Sequence, residues 1–418
     1  MKRSSGRILT THVGSLPRPQ DLAGMIMGGA QTGTLEQRAA FDARVASAVA
    51  EVVDKQIAAG VDIVSDGEQG KIGFVNYVKD RLDGFNGKAT PFMAADLMEF
   101  QGMGSGGAAA AAAQQQARAR EAGEAPPPPP NWTPACDGPI AYREHDAYKQ
   151  DIANFMAALE GKRYEEAFIC SITPGNVAQV LANQYYPTRE EYLKALGDAM
   201  KVEYRAIVDA GFVLQLDACD LAMDRHINFK DKTVPEFREV LEGNVAMINY
   251  ASEGIPADRI RLHLCWGNYQ GPHHRDIALR DIVDTVLKVH ADGLLLEAAN
   301  PRHDHEWQVW EDVALPEGKV LIPGVVDTTN NYIEHPELVA QRIVQYARVV
   351  GRDRVIAGVD CGFSTFADTP TIDPKIAWAK LGAMVEGARL EVGWGHAGLR
   401  EGRDRSLDDP RQVDGRAR

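Results

Sequence analysis

The chain has 418 residues, enough for one large domain or two ordinary ones, and its 44% hydrophobic and 25% charged residues are typical of a globular protein. A formal net charge of −14 argues against a nucleic-acid partner, which would select a basic surface. No apolar stretch reaches the roughly 18 residues of a membrane span, and the N-terminal segment has no apolar signal core, so we expect a cytoplasmic protein with no membrane partner.

Eight short apolar segments predict β-strands. In chain order they span 8–13, 61–65, 166–171, 212–217, 260–265, 293–298, 319–325 and 354–360. Because these segments are nearly continuous in apolar residues instead of alternating, they indicate parallel strands that are buried on both faces. Helical patterns separate most of them, at roughly 36–59, 188–210, 234–253, 277–290, 336–350 and 374–391.

This alternation of strands and helices predicts an α/β fold, a single-domain (β/α)8 TIM barrel over residues 1–398, with its active site at the carboxyl ends of the strands. The alternative is an open doubly wound sheet, but the chain has no glycine-rich dinucleotide fingerprint to support it. The polar residues near the strand ends are His12, Ser15, Asp66, Glu68, Ser171, Asp217, Cys265, Glu297, Asp327 and Cys361.

Two segments do not follow the barrel pattern. Residues 104–130 are rich in alanine, glutamine and proline and end in five consecutive prolines, which predicts a low-complexity, flexible insertion on the surface. Residues 399–418 are charged and almost free of aliphatic side chains, which predicts a disordered tail.

Four distant residues form a candidate metal site: His263, Cys265, Glu297 and Cys361. His263 and Cys265 are two residues apart, so on a strand they face the same side. Two cysteines, one histidine and one carboxylate suit tetrahedral Zn²⁺. The anionic ligands outweigh the charge of zinc, so a thiol that binds there loses its proton and remains nucleophilic. We therefore predict an enzyme that alkylates a small-molecule thiol with a small alkyl donor.

The motifs THVGSLPRP, DGEQGK, LQLDACD, LHLCWGN, LLLEAANPRH, IPGVVD and GVDCGF occur in this order over residues 8–365. In this respect the chain resembles the catalytic barrel of cobalamin-independent methionine synthase. It is similar in layout to the short, single-barrel members of that superfamily, such as epoxyalkane:coenzyme M transferase. The resemblance implies a (β/α)8 fold, one zinc ion and transfer of an alkyl group to a zinc-bound thiolate.

The resemblance also implies roles for individual residues. The four candidate ligands match the zinc ligands of the family. Gly14 and Ser15 match the loop that holds the amino acid substrate, and Glu68 and Asp217 match carboxylates that bind the ammonium group of homocysteine. Where the family continues Asp-Glu-Pro, this chain has Cys219 at the third position, and Thr329 replaces a histidine that is thought to protonate the departing folate. A hydroxyl has no useful pKa for that step, so the resemblance does not identify methylfolate as the donor.

The leading hypothesis is methionine-synthase-like S-methyl transfer to a homocysteine-type thiol. The alternative is opening of an epoxide by coenzyme M, whose sulfonate would need cations such as Lys71, Arg225 or Arg302. Two further alternatives are a non-catalytic zinc protein and a metal-free barrel lyase or decarboxylase. The sequence is compatible with a homo-oligomer.

The remaining candidates are less specific. His12, His303 and Asp327 are candidate catalytic residues, because they lie at or beyond predicted strand ends. The histidines of the loops 271–276 and 300–305 are interpreted mainly as residues that hydrogen-bond within those loops. The other three cysteines, Cys136, Cys170 and Cys219, are interpreted as small core residues, although Cys219 follows Asp217 closely enough to face the pocket.

Overall fold

The computed structural model describes residues 1–91, 93–100, 133–143, 147–367 and 372–401, and of residues 391–401 it describes the backbone alone. The predicted insertion at 104–130 lies outside the described residues. The predicted tail at 399–418 begins in the last turn of a helix that ends at Glu401, and its residues from 402 onward lie outside the described part.

Within the described residues, eight parallel strands form one curled sheet. They are β1 (Leu9–Thr10), β2 (Ile63–Ser65), β5 (Glu166–Ile172), β7 (Val213–Ala218), β8 (Ile260–Leu264), β9 (Gly293–Leu296), β10 (Val320–Pro323) and β11 (Ile356–Ala357). Each overlaps one of the eight predicted segments. Almost all of their residues are buried, which confirms that these apolar segments are covered on both faces.

The order of the strands shows how the sheet curls. Six of them pair in the order β10, β9, β8, β7, β5 and β2, while β11 pairs with β1. Isolated bridges from Leu321 to Val355 and from Gly324 to Gly358 join β10 to the chain around β11. A backbone bond of 3.2 Å from the Asp62 N–H to the Thr10 carbonyl links the two ends of the order. The α/β prediction is therefore confirmed as a curled parallel sheet that is consistent with a (β/α)8 barrel.

A second, small sheet was not predicted; it contains β3 (Gly87–Ala89), β4 (Thr133–Cys136) and β6 (Ala182–Asn183). The helices of the described residues are α1 (Gln20–Met27), α2 (Leu35–Ala59), α3 (Val78–Arg81), α4 (Ala95–Glu99), α5 (Ala147–Leu159), α6 (Pro174–Val180), α7 (Arg189–Asp209), α8 (Val234–Ala251), α9 (Val283–Val286), α10 (Val309–Asp312), α11 (Pro336–Val350) and α12 (Pro374–Glu401). Among them, no helix combines the length and the apolar character that a membrane crossing requires.

Local sequence explains where the long helices begin. Thr34 precedes α2 and accepts a hydrogen bond from the Gln37 N–H, while the Gln37 side chain accepts one from the Thr34 N–H. Thr233 and Glu236 form the same reciprocal cap before α8. Each such cap satisfies two backbone donors that the helix itself leaves without partners.

The helix predicted at 277–290 was too long. The structure has a short 3₁₀ turn at Leu279–Asp281 and then the single turn α9. Between them Ile282 has φ −127°, which breaks the helical path. The segment is rich in β-branched residues, which lose side-chain freedom in a helix, and the Leu279 N–H donates to the Glu306 carboxylate instead of taking part in a helix.

The centre of the curled sheet contains a buried arginine. The Arg261 guanidinium donates to Gln215 Oε1 at 2.8 Å, Thr11 Oγ1 at 3.0 Å and the His12 carbonyl at 2.7 Å. It also lies 3.4 Å from the centre of the Phe168 ring. Burial lowers the pKa of Arg261 to about 10. One side chain thus joins β8 to β7, to β5 and to the chain that leaves β1.

We predict that Arg261→Met lowers the free energy of unfolding by about 3 kcal/mol, because it leaves several buried acceptors without a donor. Urea unfolding followed by circular dichroism measures the change. Arg38→Met on the exposed face of α2 is the control and should change stability by no more than about 0.5 kcal/mol. Equal urea concentrations at the midpoint of unfolding for the two variants would contradict a central role for Arg261 in stability.

Candidate metal centre

The carboxyl ends of two strands bring three of the four candidate ligands together. His263 lies in β8, Cys265 follows its last residue, and Cys361 follows β11. Nitrogen and sulfur donor atoms of these three residues all lie within 4.8 Å of one another, and all three side chains are buried. The two sulfurs are 3.7 Å apart. Two cysteine sulfurs on one tetrahedral zinc, at Zn–S distances near 2.3 Å, would be separated by about 3.8 Å.

His263 is oriented by a carboxylate on the neighbouring strand. Its Nδ1 lies 3.1 Å from Asp217 Oδ1, while its buried Nε2 has no hydrogen-bond partner among the described residues. Burial opposes a charge on the ring, but the interactions with Asp217 and Cys265 outweigh burial and raise the pKa of His263 to about 10. A histidine that donates one N–H to a carboxylate is the usual arrangement of a metal ligand, and Nε2 of His263 would bind the ion after it loses its proton.

The Cys265 sulfur lies between several donors. The Cys219 thiol, the Cys361 thiol and His263 all interact with it and lower the pKa of Cys265 well below its usual value. The Gly267 N–H also donates to this sulfur at 3.3 Å. The site therefore favours a thiolate at Cys265, which is the form that binds a metal.

Glu297 stands beside the centre but outside the set of three. It follows β9 and is 4% exposed. Its Oε1 accepts the Trp266 backbone N–H at 2.7 Å and its Oε2 accepts from Asn300 Nδ2 at 2.9 Å. Burial and the nearby charge of Cys265 raise the pKa of Glu297 well above its usual value. Its role as a ligand stays a prediction.

A second buried cluster adjoins the first through Asp217. Ligand atoms of Glu68, Cys170 and Asp217 lie within 4.8 Å of one another. Glu68 has φ 55°, an unusual value for a residue with a side chain, and its Oε2 is buried without a hydrogen-bond partner. Burial raises the pKa of Glu68. Lys71 Nζ lies 3.9 Å from that oxygen, beyond hydrogen-bond distance, so the oxygen can still accept a hydrogen bond from a cationic group of a ligand.

Gly14 makes this cluster possible. Its φ of 142° is disfavoured for other residues, and a Cβ there would lie 2.3 Å from the Cys170 sulfur and 2.8 Å from Glu68 Oε1. Gly14 therefore lies against Glu68, while the role of Gly14 and Ser15 in holding the substrate stays a prediction.

A cavity of about 240 Å³ opens over both clusters. The polar side chains that line it are Ser15, Glu68, Asp217, Cys219, His263, Cys265, Asn268, Tyr269, Cys361 and Thr365. The apolar side chains that line it are Val13, Phe74, Met93, Ala94, Leu97, Met223 and Phe366. No lysine or arginine is present among the described residues that line it.

The three candidate catalytic residues lie outside the described lining of this cavity. His12 uses both ring nitrogens, Nε2 with Gln56 at 2.8 Å and Nδ1 with the Gly14 N–H at 3.1 Å, and burial lowers its pKa to about 3. Asp327 accepts bonds from the backbone and hydroxyl of Thr329. A catalytic role for His12, Asp327 and His303 stays a prediction.

Three of the four loop histidines contact carboxylates, as predicted for hydrogen-bonding loop residues. His273 Nδ1 and His303 Nε2 lie 2.9 and 3.1 Å from Asp276 Oδ2, and His303 Nδ1 lies 2.8 Å from Glu306. Burial opposes the charge on His303, but these carboxylates raise its pKa to about 10. The His303 ring also packs on Trp266, with centroids 4.3 Å apart. His303 thus supports the loop that follows Cys265.

Two cysteines interpreted as core residues belong to the site. Cys219 lines the cavity, and Cys170 lies in the Glu68 cluster. The signal for Cys219 was its spacing of two from Asp217, which equals the spacing of Cys265 from His263. Cys136 is buried away from both clusters and confirms its interpretation as a core residue.

Residues 8–100 and 161–390 match the family model described as "Cobalamin-independent synthase, Catalytic domain". These ranges include both clusters of the candidate centre.

Individual relatives agree with the family match. The methionine synthase of Saccharolobus solfataricus is 24% identical over 388 residues, 91% of this chain and 94% of the relative. That of Sulfolobus acidocaldarius is 25% identical over 389 residues, 91% of each chain. The structure of a B12-independent methionine synthase from Shewanella sp. W3-18-1 in complex with selenomethionine superimposes with a TM-score of 0.68 at 18% identity, covering 94% of this chain and 100% of that one. This likeness shows the fold.

We predict that Asp217→Ala weakens zinc binding about 10- to 100-fold, because His263 loses the acceptor that orients it. Competition with a chromogenic chelator measures the affinity. Asp220→Ala is the matched control, since Asp220 is also buried but bonds Thr173 Oγ1 at 2.6 Å instead of a candidate ligand. Unchanged affinity in Asp217→Ala would remove the proposed orienting role.

Proposed function

This chain belongs to the family of cobalamin-independent synthase catalytic domains, and on that premise we propose that it transfers a methyl group to the zinc-bound thiolate of a homocysteine-type substrate. The observation that carries the proposal is the 3.7 Å separation of the Cys265 and Cys361 sulfurs beside the unpartnered Nε2 of His263. We further propose that the curled sheet is a closed (β/α)8 barrel whose strand ends carry this site.

The residues present fit a zinc ion. His263, Cys265 and Cys361 would hold it, with Glu297 as the predicted fourth ligand, and the soft sulfur donors suit zinc better than magnesium or calcium. When bound, zinc lowers the pKa of a coordinated thiol below neutrality and keeps it reactive as a thiolate. All five cysteines are free, which supports the expected reducing, cytoplasmic location.

The residues around the centre would select and hold the substrate. Glu68 and Asp217 supply the carboxylate groups of the described cavity lining, so they favour a thiol that carries an ammonium group. The carbon wall formed by Phe74, Met223 and Phe366 excludes water from the sulfur. A thiolate with few water contacts keeps its nucleophilicity, and a fixed position next to the donor makes the displacement effectively unimolecular.

The cavity is less suited to a sulfonate thiol. Lys71 donates to the Cys170 carbonyl at 2.7 Å, and Arg225 donates to the carbonyls of Phe229 and Lys230. Neither lines the described cavity, and Arg302 is exposed. One observation still supports epoxide opening by coenzyme M: the apolar part of the cavity lining would accommodate a small apolar epoxide.

A cavity over the centre also favours a catalytic zinc site over a closed structural zinc site.

A direct test of thiol binding is X-ray absorption at the selenium edge of selenohomocysteine mixed with zinc-loaded protein. We expect a zinc neighbour at selenium, because the substrate chalcogen joins the ion. Cys361→Ser should lose the bound zinc and this signal, whereas Cys136→Ser, whose sulfur lies away from both clusters, should keep both. A Cys361→Ser variant with full zinc content and full signal would contradict the proposed site.

We predict that Glu68→Gln raises the KM for homocysteine by about 10- to 100-fold, because a buried charge-assisted hydrogen bond to the ammonium is lost. Glu190→Gln on the exposed face of α7 is the control. The protein is incubated with one thiol, either homocysteine or 2-mercaptoethanesulfonate, and one alkyl donor, either methyltetrahydrofolate or epoxypropane. The products of each combination are identified by mass spectrometry. Product from only mercaptoethanesulfonate and epoxypropane, unaffected by Glu68→Gln, would favour the epoxide reaction.

A further inference from the structure

The turn that follows Glu297 is held by a single buried carboxylate. Asp360 is 2% exposed. Its Oδ1 accepts the backbone N–H groups of Ala298 and Ala299, each at 2.8 Å, and its Oδ2 accepts the Asn300 N–H at 2.8 Å. Asn300 Nδ2 donates to the same Oδ2 at 3.1 Å. Three consecutive backbone donors and one amide thus converge on one anion, and charge-assisted bonds of this kind are stronger than bonds between neutral groups.

Asp360 reaches this turn across an intervening strand. The turn follows β9, whereas Asp360 follows β11, and β10 lies between these two strands. Gly324 follows β10 at the crossing point, where a Cβ would lie 2.0 Å from Asp360 Oδ1. The carboxylate can therefore pass from one strand end to the other because Gly324 has no side chain.

The same carboxylate is connected to two candidate ligands. Cys361 is the next residue in the chain, so the backbone that Asp360 fixes is the backbone that carries this sulfur. Asn300 Nδ2 forms a second bond, of 2.9 Å, to Glu297 Oε2. Asn300 therefore bridges the two carboxylates, and strand ends that are not neighbours in the sheet are joined beside the candidate centre.

We propose that Asp360 is a positioning residue of the metal centre, which acts through the turn 298–300 to fix the Glu297 carboxylate relative to the Cys361 sulfur. The inference rests on the zinc centre proposed above, with Glu297 as its predicted fourth ligand. Ligands that are already held in place lose less conformational freedom when they bind an ion, which raises the affinity. Groups that orient metal ligands in this way commonly change metal affinity by about 10- to 100-fold.

A purely structural role for Asp360 is the alternative that has to be separated from this one. Asp360 satisfies buried backbone donors, so its loss destabilises the fold whether or not it positions a ligand. Neither Asp360 nor Asn300 lines the described part of the cavity, so neither is placed to contact the thiol directly. Coupling between Asp360 and Glu297 in zinc affinity distinguishes the two roles, because a residue that acts through Glu297 has nothing to position once that ligand is removed.

The experiment is a double-mutant cycle in zinc affinity, measured on the full-length protein by competition with a chromogenic chelator. We expect Asp360→Ala to weaken zinc binding about 10- to 100-fold and Glu297→Gln to weaken it at least as much, while the double variant stays within about twofold of Glu297→Gln alone. Asp220→Ala is the control, since Asp220 is also buried but bonds Thr173 Oγ1, and it should leave the affinity within about twofold of the unaltered protein. Circular dichroism establishes that each variant is folded.

Asn300→Ala tests the bridge itself. It removes the amide between the two carboxylates but keeps the Asn300 N–H bond to Asp360, so we expect a smaller loss of affinity than in Asp360→Ala and no further loss when Glu297→Gln is added. Asn300 is only half-buried, so this variant completes the cycle if Asp360→Ala does not fold.

Three results would overturn the inference and leave the proposed function standing. They are unchanged zinc affinity in both Asp360→Ala and Asn300→Ala, unchanged affinity in Glu297→Gln, and losses that multiply in the double variants, which would show that Asp360 acts independently of Glu297. An unaltered protein that binds no zinc would overturn the inference and the proposed function together.

Discussion

The register between parallel strands β7 and β8 is the constraint on which the candidate centre depends. It sets Asp217 beside His263, so that one carboxylate fixes the ring and leaves Nε2 free for a metal. A shift of one residue would turn His263 and Cys265 toward the helices, since alternate side chains face opposite sides of a strand. Apolar packing on both faces of the sheet holds that register in place.

The sequence was sufficient for the elements that pack tightly and insufficient for those fixed by distant contacts. All eight strands could be predicted because parallel strands buried on both faces are continuous apolar segments. Helix α11 matched its predicted bounds because its apolar stripe is regular. The helices α1, α3, α4, α5, α6 and α10 and the small sheet were not predicted. The segment 277–290 was predicted as one helix, because the bond from the Leu279 N–H to Glu306 joins parts of the chain that the local pattern cannot relate.

The same limit applies within the site. The spacing of His263 and Cys265 predicted a common face, and motif order related them to Cys361. Asp217 was expected to hold substrate, but its contact with His263 depends on a pairing between strands that a single sequence does not display. His12 resembled an active-site residue by its position at a strand end. Only the structure shows that Gln56 and the Gly14 N–H occupy both of its nitrogens.

A metal held by His263, Cys265 and Cys361 would also act as a cross-link. Cys265 and Cys361 are 96 residues apart in the chain, and the strands that carry them, β8 and β11, are separated by β9 and β10 in the sheet. An ion bound at both would tie together segments of the fold that share no direct strand pairing. Occupancy by the ion then becomes part of the folding equilibrium, so that the thermal stability of the protein should follow the supply of free zinc in its surroundings.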